Sequence, residues 1–267
     1  MKIATYNVKL GGVDGDARRL NQVIGVIDEQ RPDVIGLQET KLSLGPDNEL
    51  IYALRNQRNF PYDEVIEGVN NEWMVNTGAS LFSRSEPICS RRVGERVRAV
   101  EMVFQILDTR LSICNVYLSH VDEAARLPQI KEVLQELKGE DYSLIMGDFN
   151  ALSPEDGLTD DLVKGFSPRM KEKYTRDGRL CFDTIEAVLE AGYVDIALQY
   201  HKPEEITDCT DLPGPTTGGG HTRPIRMDFI FANESLLPSF REFALVNQGL
   251  ARIASDHFPW YVVLDTV

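Results

Sequence analysis

Apolar residues recur along this chain in short runs flanked by turn residues. Runs at 2–8, 33–38, 78–83, 99–107, 110–118, 143–148, 226–231 and 258–264 read as strands by their length and alternation. AVEMVFQIL and RLSICNVYL, separated by Asp108 and Thr109, form a predicted hairpin. Helical spacing appears at 16–30, with Leu20, Val23, Ile24 and Ile27 on one face, and at 123–138, with Leu127, Ile130, Val133, Leu134 and Leu137. A third helix is expected over Thr184–Ala191. Strands far outnumber helices in the second quarter, so a strictly alternating βαβ fold does not fit. A stacked pair of sheets with helices outside does. The halves also rhyme: a helix precedes a strand ending in Glu39, and another precedes a strand ending in Asp148. With no Gly/Ser/Pro-rich linker, residues 1–267 read as one domain. The longest irregular stretches, 151–180 and 201–224, both flank polar strand ends, where long loops are commonly functional.

Those strand ends carry the candidate chemistry. Asn7 lies in ATYNV, Glu39 in VIGLQET, Asp148 and Asn150 in LIMGDFN, Asp228 in RMDFIF, and Asp256 with His257 in ASDHFPWYVVL. An ionised group at the tip of a buried strand is costly to desolvate unless paired or metal-bound. Five such tips, bearing only oxygen donors and one imidazole, suggest convergence on a cation. Asp148 and Asn150 are two apart, which on an extended backbone points both to one side. The carboxylate can take a proton from water, while the amide holds that water or a phosphoryl oxygen. A turn after a strand suits the same four residues. Glu39 at a strand end is a reasonable hard-cation ligand, and the Asn7 amide oxygen is another. His257 beside Asp256 supplies a cationic partner for phosphate, with Asp228 placed to hold the other ring nitrogen. Tyr117 and His120, in NVYLSH, close a further strand.

A net charge of −14 and a pI near 4.8 tell against wrapping a duplex on a basic face. Two basic stretches, 84–98 and 164–179, could form a local lip, although solvated loops have the same composition. Arg84 and Arg169 within them, with His120 and with His221 in the Gly-rich GGGHTR, are candidate substrate contacts. The cysteines Cys89, Cys114, Cys181 and Cys209 show no metal or disulfide spacing, which fits reduced thiols and a cytoplasmic protein. No run approaches a membrane span, and no signal-peptide core opens the chain. GxSxG, P-loop and HExxH motifs are absent.

The ordered set ATYNV, LQET, TGASLFSR, NVYLSH, GDFN, RMDFIF and SDHFP resembles the endonuclease/exonuclease/phosphatase superfamily, also called DNase I-like. The resemblance runs from residue 3 to the last strand. It implies an α/β (α+β) four-layer αββα sandwich whose two mostly antiparallel sheets carry the site at one edge. It also implies Mg²⁺-dependent hydrolysis of a phosphoester by in-line attack of water, with Mn²⁺ as a substitute. On this resemblance Glu39 is the principal metal ligand, helped by Asn7 and Asp256. Asp148 orients or deprotonates the water, Asn150 contacts phosphate, and His257 binds phosphate with Asp228 orienting it. Tyr117 stands where many members carry histidine and the abasic-site endonucleases carry tyrosine, so its role stays open between the leaving group and the phosphate.

The expectation is therefore a monomeric phosphoesterase acting on a phosphodiester or phosphomonoester, either a small molecule or a short nucleic acid. An abasic-site DNA nuclease is the main alternative, and a catalytically inactive binding module is the second.

Overall fold

The computed structural model describes residues 1–14, 17–41, 48–66, 77–106, 108–201, 205 and 225–265. Two six-stranded sheets face each other. The first runs in the order β15 (Phe240–Leu245), β16 (Trp260–Leu264), β1 (Lys2–Asn7), β4 (Val34–Lys41), β6 (Thr77–Ser83) and β5 (Tyr62–Ile66). The second runs β13 (Tyr193–Asp195), β14 (Asp228–Asn233), β10 (Tyr142–Asp148), β9 (Thr109–Tyr117), β8 (Arg98–Ile106) and β7 (Cys89–Arg92). Short hairpins β2–β3 (Val13–Asp14, Ala17–Arg18) and β11–β12 (Thr175–Arg176, Arg179–Leu180) lie outside the sheets. Each sheet has one parallel pair at its centre, β1–β4 or β9–β10, and antiparallel neighbours elsewhere. A parallel pair needs a crossover. Helix α1 (Leu20–Gln30) supplies it in the first sheet and α3 (Glu123–Glu136) in the second, which is the physical form of the internal rhyme.

Alternation along the strands builds the layers, because successive side chains point to opposite faces. Ile3, Val34, Ile113, Leu144, Met146 and Ile230 fill the space between the sheets. Their neighbours Ala4 and Ile35 pack under α1 and α2 (Glu49–Gln57). Cys114, Ile145, Phe229 and Phe231 pack under α3 and α5 (Asp183–Glu190). Central strands buried on both faces read as nearly continuous apolar runs. Each fully buried Val, Ile or Leu side chain in these layers contributes roughly 1.5–3 kcal/mol. No described helix is long and apolar enough to cross a membrane.

The predicted central strands are present, and the differences lie at edges and loops. Four strands of the two six-stranded sheets lie outside the predicted runs: β5, β7, β13 and β15. β7 is CSRR, exposed at every position, so it carries no burial pattern to detect. The RMDF strand begins at Asp228 and runs to Asn233, two residues later than expected at both ends. Helix α1 begins at Leu20, because Ala17–Arg18 pair in a hairpin. The stretch 151–180 is not irregular throughout. It holds 3-10 turns at Pro154–Asp156 and Asp160–Gly165, helix α4 (Pro168–Tyr174) and the β11–β12 hairpin. Most of 201–224, including His221 and Cys209, lies outside the described residues. Cys114 is buried and unpaired in the core, as a small hydrophobe.

Candidate active site

Parity along the strands explains why the polar tips meet. Inward positions on β1 run Ile3, Thr5, Asn7, and on β9 they run Ile113, Asn115, Tyr117. On β10 they run Leu144, Met146, Asp148, and on β14 Ile230 follows Asp228. Asp148 lies in register with both Tyr117 and Asp228. Asn7, Tyr117 and Asp148 are thus the last inward residues of three strands and Asp228 the first of an antiparallel fourth, all at one end of the space between the sheets.

Glu39 breaks this parity. Leu37 faces the outer helices, so a regular strand would turn Glu39 outward as well. Instead the β4–β6 register shifts between Gln38 and Thr40, and Glu39 takes a φ of 56°. A β-bulge re-aims a side chain in this way. Its carboxylate accepts from Asn7 Nδ2 at 3.3 Å, Tyr117 Oη at 3.2 Å and the Leu10 amide at 3.2 Å. Below the tips, Gln38 Nε2 donates to Thr5 Oγ1 at 2.9 Å and to Asn115 Oδ1 at 2.5 Å. Asn115 Nδ2 donates across the sheets to the Leu37 and Ser80 carbonyls. Gly36 makes room for this bridge, since a Cβ there would lie 2.6 Å from Asn115.

GDFN owes its glycine to close backbone approach: Gly147 has φ 139°, and a Cβ would fall 2.0 Å from the Val116 carbonyl oxygen. Strand β10 ends at Asp148, and Asn150 has a left-handed φ of 52°. The two side chains therefore share a side through a turn rather than an extended strand, with the Asn150 amide donating to Asp148 Oδ1 at 2.8 Å. Asp148 Oδ2 accepts from Asn7 Nδ2 at 2.9 Å. His257 Nδ1 donates to Asp228 Oδ2 at 2.7 Å, and the His257 amide donates to Ser255 Oγ, which itself donates to the Asn7 carbonyl. Lys9 Nζ lies 3.4 Å from Asp256 Oδ2.

The charges are mutually strained. Burial raises the Glu39 carboxyl above its ordinary range; Asp256 and Asp148 add to this, while His257 and the Asn7 hydrogen bond oppose it. Burial alone would lower the His257 pKa, but Asp228, aided by Asp148 and Asp256, outweighs it and pushes the imidazole up to about 10. Asp228 is itself raised to about 6 by burial against the pull of His257. Tyr117 is raised well above its ordinary value by burial and by Glu39 and Asp148. Repulsion among Glu39, Asp148 and Asp256 is what a divalent cation would relieve, and a carboxylate donor set suits a hard ion. Asp228 Oδ1 is buried without a hydrogen-bond partner among the described residues. Ligand atoms of Asp148, Asp228 and His257 also lie within 4.8 Å of one another, but the charged imidazole held by Asp228 leaves the carboxylates of Glu39, Asp148 and Asp256 as the donors for a cation. The residues fit the group.

Among the described candidates, Arg84 alone lies away from the cluster. Asn7 turns its Nδ2 to Glu39 and Asp148, while its Oδ1 accepts the Lys9 amide at 3.0 Å, so it braces the two carboxylates. Asn150 has both ends of its amide engaged: Nδ2 donates to the Leu118 carbonyl and Oδ1 accepts from Lys173. Arg84 is not brought to the site. It follows Ser83, which pairs antiparallel with Val34 at the start of β4, so it lies at the far end from Glu39. There it donates to the Pro32 and Arg58 carbonyls and stacks on Phe60. His120 and Arg169 do lie beside the cluster: the His120 imidazole is lowered to about 4 by burial, Lys173, Arg169 and Arg98. His221 lies outside the described residues. Lys9, Lys173 and Arg98, whose guanidinium sits 5.0 Å from the Tyr117 ring centroid, were not singled out by the sequence. Arg98 and Lys173 signalled themselves only as members of basic stretches that also read as solvated loops, and Lys9 follows the first strand with no signal of its own.

The chain is similar to known proteins over nearly its whole length. The family model described as "Endonuclease/Exonuclease/phosphatase family" matches residues 4–257. Among solved structures, an AP endonuclease from Archaeoglobus fulgidus superposes with a TM-score of 0.69 at 21% identity, covering 99% of each chain. A 3′ phosphatase from Neisseria, bound to product DNA hairpin, gives 0.67 at 18% identity and 99% of each chain. An endonuclease/exonuclease/phosphatase family protein from Leptotrichia buccalis gives 0.67 at 17% identity, again with 99% of each chain covered. These likenesses establish the αββα fold. Together with the match across residues 4–257, they place the chain in the endonuclease/exonuclease/phosphatase family, as a hydrolase of phosphate ester bonds whose members depend on metal.

Proposed function

We propose that this protein is a Mg²⁺-dependent phosphoesterase in which Asp148 activates the attacking water, with residues 1–267 forming one catalytic domain. The observation that carries the reading is the meeting of Glu39, Asp148 and the Asp228–His257 pair at one end of the inter-sheet core. Glu39 and Asp256 would hold the cation, Mg²⁺ or Mn²⁺. When bound, it would polarise a phosphoryl oxygen and offset developing negative charge. Asn7 braces Glu39 against Asp148, keeping the two carboxylates apart in orientation though close in space.

Asp148 is held at both oxygens by neutral donors, Asn7 Nδ2 and the Asn150 amide, and retains lone pairs to accept a proton from water. His257 carries its charge at neutral pH because of Asp228, and its Nε2–H donates to a phosphoryl oxygen as charge develops. Water attacks in line with the leaving oxygen, opposite it on phosphorus. Tyr117 Oη, donating to Glu39, fixes the orientation of the ligand carboxylate.

A nuclease acting at a DNA end is the second reading. Similar folds include an AP endonuclease and a 3′ phosphatase bound to product DNA hairpin. The cations Arg98, Arg169 and Lys173 near His120 offer phosphate contacts on an otherwise acidic protein. A panel of abasic DNA, single-stranded RNA, nucleotides, inositol phosphates and phospholipid head groups, with Mg²⁺ and with EDTA, tests both readings. Turnover of at least one substrate, abolished by EDTA, is expected. No metal-dependent turnover of any of them sinks the enzymatic reading, and turnover confined to small phosphoesters sinks the nuclease.

A further inference from the structure

Lys173 is built into the site more firmly than a surface lysine needs to be. It lies on α4, whose backbone is tied down from three sides. Arg126, fully buried, donates to the Lys173 carbonyl at 2.6 Å and pairs with Glu123 at 2.7 Å. Glu123 in turn accepts the Thr184 amide at the start of α5. Tyr174 Oη donates to Met227 Sδ at 2.8 Å, one residue before Asp228. Met170 and Tyr174 pack against Leu152 and Phe166.

The half-buried ammonium so positioned donates to Asn150 Oδ1 at 2.6 Å, and among the described residues no carboxylate pairs with it. Burying an ammonium beside a neutral amide costs free energy unless a further partner arrives. Burial lowers the Lys173 pKa to about 7 with help from Arg126 and Arg169, against Asp148 and Glu39. Such strain is characteristic of functional groups. The second observation is Asn150 itself. Its Nδ2 donates to the Leu118 carbonyl and its Oδ1 accepts from Lys173, so the amide is fixed with its oxygen turned to the ammonium.

We propose that Lys173 makes a phosphate contact on this side of the site, with Asn150 as the positioning residue that aims the ammonium. The ligand class is the phosphoryl group of the ester and, after hydrolysis, inorganic phosphate. The inference rests on the phosphoesterase reading, and its test is separable from it. A compact ammonium with three donors meets a tetrahedral oxyanion without needing the planar geometry of arginine.

Calorimetric binding of inorganic phosphate to the full chain in Mg²⁺ provides the test. Lys173→Met and Lys173→Gln should each weaken phosphate by tenfold or more. Lys173→Arg should recover part of the loss, and Asn150→Ala should show a smaller loss than Lys173→Met. KM should rise in the same order, whereas Asp148→Asn should act mainly on kcat. Thermal unfolding of the two neutral variants serves as the control for folding, and either one that folds is sufficient. Wild-type phosphate affinity in a folded neutral variant overturns the proposal while leaving the hydrolase standing. So does a wild-type protein that turns over esters but binds no phosphate. Loss of metal-dependent turnover on every substrate overturns the underlying reading instead.

Discussion

Replacing Asp228 with Asn removes one negative charge from the site with almost no change of shape. The carboxylate lies 2.7 Å from His257 Nδ1, and both side chains are more than nine-tenths buried. In the native protein Asp228 outweighs burial and brings the imidazole up to about 10. With an amide in its place, burial is opposed by the more distant carboxylates Asp148, Asp256 and Glu39 alone, so the pKa falls and the cation is no longer secured at neutral pH. A hydrogen bond to a charged group contributes about 1.5–3 kcal/mol, and 1.36 kcal/mol is a factor of ten in rate. On that basis kcat/KM at pH 7 should drop roughly 10- to 150-fold. The assay is a pH–rate profile beside an NMR titration of the His257 ring. The alkaline limb should move to lower pH in step with the ring's titration. Stability has a related signature, because the folded pKa lies above the unfolded value of about 6.5. The His257 contribution is complete below about pH 6.5 and is lost as pH rises through about 10. An Asn variant with unchanged kcat/KM and an unchanged His257 titration would refute the reasoning.

Gly147→Ala should be destabilising, since φ 139° alone costs a side-chain-bearing residue roughly 1–3 kcal/mol and the Cβ would also overlap the Val116 carbonyl; an unchanged urea midpoint would contradict this. Arg226 sits buried between Asp156 at 2.5 Å and Asp195 at 2.6 Å, so Arg226→Met strands two buried carboxylates and should cost about 3–5 kcal/mol. Burial already raises Asp195, so that deficit should shrink as pH falls and the carboxylate takes up a proton; denaturation midpoints at several pH values read this directly.

The central strands were legible because burial on both faces leaves an unbroken apolar record, as in β9 and β10. GDFN and the inward parity of Tyr117 and Asp148 followed from the same alternation. Glu39 lay at the right place for a reason no alternation shows: only the bulge between Gln38 and Thr40 turns it inward. Arg84 was misplaced because composition marks a basic stretch without saying which end of a strand it occupies. Lys173 was hidden because MKEKYT reads as part of a solvated loop, and its burial comes from Arg126, Glu123 and Met227, which lie far away in the chain. Helix α2 did leave a signal that went unused: Asn48 as a cap on two amides, followed by Leu50, Ile51, Ala53 and Leu54 on one buried face. Edge strands β5 and β7 are too polar for their pattern to be read, as edges commonly are.

The most direct test of the site is the rate of Asp148→Asn against wild type, at saturating Mg²⁺, on whichever phosphoester the panel shows to be turned over. Asn keeps the shape and can still meet the Asn150 amide, but it cannot accept the proton of an attacking water. A positioned general base contributes typically ~10²–10⁴-fold, so kcat should fall by at least about 100-fold while the protein stays folded. A folded variant that hydrolyses the substrate at the wild-type rate would contradict the account.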